Sequence, residues 1–190
     1  DIARESIFPK QVLNQGQFYA GRGYDIMIEA AAMLSSCNDL QFVLRGYGEL
    51  EDQLKRRAAE LNTANVYFAP PVNIEELIPC ASRAWVGLAI TEKISLNFEL
   101  SVSNKIFEYA AAGIPVIMSD IPEYLNDKYH FGIVLREDSS GCLASAIMRL
   151  YKDRTLYRTC AENSKKLSCE ITWENEFGKL IEFERKLTVK

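Results

Sequence analysis

Five side chains with usable chemistry stand close together between residues 101 and 108: Ser101, Ser103, Asn104, Lys105 and Glu108. They open a short helical pattern in which Ile106, Phe107, Ala110 and Ala111 form the apolar stripe. First-turn N–H groups have no partner inside a helix, so a serine oxygen can cap them, and an anion can bind there. Lys105 adds a full positive charge, and a carboxylate one turn further in suits a sugar hydroxyl. An anion site with a hydroxyl acceptor behind it points to a sugar nucleotide as the class of ligand. Singly, each residue has a plainer role: Lys105 an exposed helix lysine, Glu108 a solvated carboxylate, the serines ordinary caps.

Two glycine turns offer more of the same chemistry. Gly21-Arg22-Gly23 sets a guanidinium at the mouth of a turn, as a diphosphate clamp or as a solvated arginine on a tight bend. In Arg45-Gly46-Tyr47-Gly48 the glycines either let the backbone approach a ligand or simply make the turn. Neither is the full dinucleotide fingerprint. Lys93 and Glu99 lie in an unpatterned stretch, 91–102, as ligand contacts or as solvated charges.

Other chemistries are closed off. His130 is the one histidine in the chain, which rules out a zinc site built from several histidines. It stands in a turn before a strand, where a surface role is expected. The five cysteines (Cys37, Cys80, Cys142, Cys160, Cys169) form no CxxC pair and are expected to be reduced thiols. A net charge of −4 argues against a nucleic-acid partner. No apolar run reaches the roughly 18 residues that span a bilayer.

The elements that must position these groups alternate. Strands are expected at 11–18, 40–44, 66–69, 85–90, 114–118 and 132–135. Helices are expected at 24–35, 49–61, 73–81, 120–125, 143–151, 156–167 and 173–187, besides the one that starts near Ser103. Gly113 stops that helix, and Pro115 keeps it from resuming. Such alternation predicts a parallel sheet covered on both faces, with ligands at the carboxyl ends of the strands. Residues 21–23, 46–48 and 101–105 all fall on that edge and are expected to face one crevice. Trp173 is expected to pack rather than to offer a stacking platform.

Over residues 11–187 the chain resembles the C-terminal, donor-binding domain of GT-B glycosyltransferases, in particular the large group-1 (GT4-like) family. The anchors are Gly16 with Arg22-Gly23, the run from Arg45 to Leu50, the run from Ser103 to Ile117, and Trp173-Glu174. The third is the specific one. The resemblance implies an α/β fold: a Rossmann-like parallel sheet of about six strands with helices on both faces. It implies that Glu108 holds the ribose hydroxyls, and that Arg22 with Ser103, Asn104 and Lys105 faces the diphosphate. Arg22 and Lys105 would be catalytic, stabilising the leaving group. Val72 would lie against the base, with Gly21, Gly23, Gly46, Tyr47, Gly48 and Glu99 as further substrate contacts.

The implied activity is a retaining, hexosyltransferase-type transfer from a nucleotide-diphosphate sugar, UDP before GDP, to a glycan, lipid-linked or polysaccharide acceptor. No metal and no separate cofactor are implied. The family places its acceptor site in an N-terminal domain. Residues 1–10 are therefore expected to be an interdomain linker and 11–190 the donor domain, inactive alone. Helices over about 155–187 would pack on that domain or cross back to the missing one. A cytoplasmic setting is expected, with the full-length enzyme peripheral at the inner face of the membrane. Two features depart from the family: Leu100 stands where many members carry a sugar-binding glutamate, and Gln17 where an arginine is usual. Half of a sugar-nucleotide 2-epimerase and a non-enzymatic interaction module are the alternatives.

Overall fold

The computed structural model describes residues 9–120 and 123–188. Six parallel strands form one sheet in the order β3-β2-β1-β4-β5-β6. They are β1 (Lys10–Gln17), β2 (Leu40–Tyr47), β3 (Val66–Ala69), β4 (Val86–Ala89), β5 (Val116–Met118) and β6 (Gly132–Val134). Helices α1 (Tyr24–Met33) and α2 (Glu51–Glu60) follow β1 and β2. A 3-10 turn at Ile74–Glu76 leads into α3 (Leu77–Ala81), and α4 (Leu96–Leu100) and α5 (Asn104–Ala111) both lie between β4 and β5. Then come α6 (Glu123–Tyr129), α7 (Ser140–Lys152), α8 (Arg154–Glu170) and α9 (Trp173–Thr188).

Alternation along β1 builds the two layers. Val12 points into a core shared with Met27 and Ile28 of α1, Leu54 of α2 and Leu143 and Ile147 of α7. Leu13 points the other way, into a core shared with Ala81 of α3, Ile106, Tyr109 and Ala110 of α5 and Leu167 of α8. Strands buried on both faces read as continuous apolar runs, which is why residues 114–118 were legible as one. The order departs from the sequence order between β1 and β4, so the crevice above their carboxyl ends is the topological switch point.

Four expectations are corrected. Residues 45–47 belong to β2 and make no turn: the strand runs through them, pairing Gly16 with Gly46 and Gln17 with Tyr47. Residues 91–102 hold a helix, α4, with Ser95 as its cap accepting from the Phe98 N–H at 3.4 Å. Of the helix expected at 120–125, residues 121–122 lie outside the described residues, and α6 runs from Glu123 on to Tyr129, with His130 after it in the left-handed region at φ 52°. Trp173 is 76% exposed, with its ring stacked on Phe177 of the same helix. Residues 1–8 of the expected linker lie outside the described residues, while Lys10 already belongs to β1.

Candidate functional site

The cavity at the switch point has a volume of about 380 Å³. Two connections supply its polar rim, and Leu77 of α3 adds an apolar wall. The turn after β1 brings Tyr19 and Arg22 to its rim, and the segment after β4 brings Ser101, Ser103, Asn104, Lys105 and Glu108. The end of β1 itself, Gln15-Gly16-Gln17, forms the floor between them.

Lys105 is half-buried and makes no hydrogen bond or ion pair with another described residue. Burial and the Arg22 guanidinium push its pKa down to about 8, against the pull of Glu108. Gly16 makes its room. A Cβ on Gly16 would stand 3.1 Å from the Lys105 Cε and 3.2 Å from its Nζ. Arg22 lies over the Phe98 ring, 4.7 Å from the centroid, so α4 supports its guanidinium.

Loop against loop fixes that corner. The Gly23 N–H donates to Glu92 Oε1 at 3.0 Å, and the Glu92 N–H donates to the Gly21 carbonyl at 3.0 Å. Lys93 pairs with Asp120 at 2.7 Å and ties the same loop to the end of β5. Ser103 is the N-cap residue of α5, yet its side chain makes no capping bond, so its hydroxyl remains for a ligand. Glu108 accepts from Gln15 Nε2 at 2.9 Å.

Of the residues singled out from the sequence, Arg22, Ser103, Asn104, Lys105 and Glu108 come together in this cavity. Gly21 and Gly23 lie beside it at positive φ, packed on Ile94 and Ile90. Gly46 and Gly48 do not line it. A Cβ at Gly46 would run into the backbone of Gly16 and one at Gly48 into that of Phe18, so both glycines allow a close approach by neighbouring backbone. Tyr47 is exposed at the next strand over, where its hydroxyl accepts from Gln17 Nε2 at 3.1 Å. Val72 and Glu99 are also outside the lining, Glu99 because α4 turns it to solvent. Val102 lines it within the expected run 101–105, whereas Gln15, Gln17, Tyr19 and Leu77 line it and were not foreseen. The available signal for Gln15 was a polar pair, Asn14-Gln15, inside an apolar strand. Among the described residues no cluster of three His, Cys, Asp or Glu side chains could hold a metal ion.

Two cations, a free helix N-terminus and a carboxylate in one crevice can take a diphosphate at one end and hydroxyl donors at the other. Solved structures share the fold. The catalytic domain of cholesterol-α-glucosyltransferase from Helicobacter pylori superposes with a TM-score of 0.70 at 18% identity, over 86% of this chain and 99% of that one. TarM from S. aureus, a variant in complex with fondaparinux, α-GlcNAc-glycerol and UDP, gives 0.76 at 16% identity, over 97% and 37%. HepE from Anabaena, in complex with UDP and glucose, gives 0.70 at 16%, over 89% and 45%. The chain thus spans less than half of the TarM and HepE chains. A search of curated protein sequences finds no match. The sequence profile of group 1 glycosyl transferases matches residues 9–153, most of the chain, which therefore belongs to the group 1 glycosyltransferase family.

Proposed function

We propose that this chain is the donor-binding part of a retaining glycosyltransferase and that its cavity takes a nucleotide-diphosphate sugar. The observation that carries the reading is the convergence of Arg22, Lys105 and Glu108 on one crevice from two different connections. In the reaction the bond between the anomeric carbon and the diphosphate oxygen breaks, and the diphosphate leaves with the electron pair. An acceptor hydroxyl forms the new glycosidic bond, and its proton passes to the departing diphosphate oxygen. Arg22 and Lys105 stabilise the charge that grows on the leaving oxygen, and they are already in place before it develops. Glu108 accepts from the ribose hydroxyls.

The acceptor, a glycan, lipid-linked or polysaccharide hydroxyl, would be held by a second domain. The relatives that extend well beyond the matched region support that division. A UDP-sugar is the favoured donor, supported by the UDP in the TarM and HepE structures. A cytoplasmic setting is supported by five unpaired cysteines, of which Cys169 is exposed. No helix among the described residues is long and apolar enough to cross a membrane.

Calorimetry with UDP and GDP on the protein and on Glu108→Ala tests the reading. Loss of about tenfold or more in affinity with the fold intact is expected, as for a charged hydrogen bond removed from a binding site. Equal affinities in the two proteins would refute the ribose role.

A further inference from the structure

Gln15 is the unusual residue of the central strand. The residue is 2% exposed, on the Leu13 face of β1 at the floor of the cavity, where an apolar side chain of the same volume would pack without polar atoms to satisfy. Its backbone N–H donates to the Tyr109 phenol oxygen at 3.0 Å. Its Nε2 donates to Glu108 Oε2 at 2.9 Å and to the Leu77 carbonyl at 3.5 Å. Both neighbours of that nitrogen are acceptors, so the amide can stand only one way round. Turned over, it would set an oxygen against a carboxylate and a carbonyl. The Gln15 Oε1 is left buried with no partner. A half-satisfied amide is kept in the core of the strand, and what it gains is a fixed grip on one oxygen of Glu108.

We propose that Gln15 is the positioning residue that makes the cavity select a ribose over a deoxyribose nucleotide. This rests on the reading of the cavity as a nucleotide-diphosphate site. A glutamate on the second turn of a helix has three rotatable bonds and would otherwise sample several directions in solvent. With Oε2 held, the other oxygen has no protein partner among the described residues and one orientation in which to accept ribose hydroxyls. A site built around a fixed acceptor rejects the analogue that lacks the hydroxyl, because the acceptor then loses both water and ligand. Gly16, the next residue, sets the place of Lys105, so consecutive residues of β1 aim the two functional groups of α5.

The test measures UDP, GDP and ADP binding by calorimetry, then the 2′,3′-dideoxy form of the tightest, to the protein, Gln15→Met and Gln15→Glu. The protein is expected to prefer the ribose form by about tenfold or more, and Gln15→Met to bring the two within about threefold by losing affinity for the ribose form only. A merely structural Gln15 would lower both affinities in parallel, and that outcome overturns the proposal. Gln15→Glu is nearly isosteric and sets a second carboxylate against Glu108, so its preference is lost at pH 7.

That preference returns toward pH 5 as the two carboxylates share a proton and the bond reforms. The other groups facing the pair are the Arg22 guanidinium, Lys105 and the Tyr109 phenol; Lys105, with a pKa of about 8, and Tyr109, pushed up by burial, keep their protons over that range. The ratio of the two ligands cancels titration of their phosphates. A Gln15→Glu preference that is full at pH 7 also overturns the proposal, whether or not Gln15→Met folds. If no nucleotide binds, or Glu108→Ala binds as the unaltered protein does, the reading of the cavity falls and this inference with it. If Glu108→Ala loses the preference while Gln15→Met keeps it, only the inference falls.

Discussion

Lys105 shows what the site costs the fold. Burial first, and Arg22 second, lower its pKa to about 8, below the usual lysine value of about 10.4. The folded chain therefore binds that proton less tightly than the unfolded one. The cost stands in full below pH 8 and is relieved as the pH rises from there toward about 10. Lys105→Met is expected to raise the melting midpoint at pH 7, with a gain that shrinks toward pH 10, while weakening diphosphate binding by about tenfold or more. Melting curves across that range check the first part, and calorimetry the second; an unchanged midpoint at pH 7 would contradict the argument. In the unaltered protein, affinity for a nucleoside diphosphate is expected to fall above pH 8, where the ammonium loses its proton. Gly16→Ala attacks the same group from below, with a methyl 3.1 Å from Cε on a backbone at φ 145°. It is expected to displace the lysine and cost about tenfold in affinity, together with some stability.

At the scale of elements, the seat of α5 decides the geometry. Tyr109 lies flat on Gly87 of β4, where any Cβ would meet the ring, and its hydroxyl accepts the Gln15 N–H at 3.0 Å. Tyr109→Phe leaves that buried N–H without a partner and is expected to cost about 1–3 kcal/mol in urea unfolding. A loss near zero would mean that another group takes the bond. The boundaries of α5 and β5 were legible because Gly113 and Pro115 punctuate them and the stripe of Ile106, Ala110 and their neighbours keeps a helical period. Helix α4 was not, because Leu96 and Leu100 are 68% and 74% exposed and so leave no core-facing pattern. Gln15 escaped for the opposite reason. A strand covered on both faces carries no alternation to flag a polar residue as functional. For Gly46 and Gly48, spacing alone does not say which backbone comes close. The neighbour is β1, and that follows only from pairing in register.

At the scale of the molecule, strand–helix alternation gave a parallel sheet but not the order of its strands, and the order is what creates the crevice. With β1 beside β4, the turn carrying Arg22 and the segment carrying Lys105 and Glu108 meet although they are far apart in sequence. Right-handed crossovers then fill both faces, with α7 on α1 and α8 on α5. Helix α9 does not join either layer. It packs extensively on no other element among the described residues, and Trp173, Leu180, Phe183 and Leu187 are each 60% exposed or more. The other tryptophan, Trp85, is 2% exposed and stacked on Tyr157, with ring centroids 5.3 Å apart. The two should therefore separate cleanly by fluorescence. Trp173→Phe is expected to remove the acrylamide-accessible, red-shifted part of the emission and leave a shielded blue component from Trp85. Deleting residues 173–190 should move the melting midpoint by less than about 4 °C, the shift that about 1 kcal/mol produces in a chain of this size. A shielded Trp173, or a larger loss on deletion, would mean that the apolar stripe of α9 is covered in solution and carries stability that the isolated chain does not display.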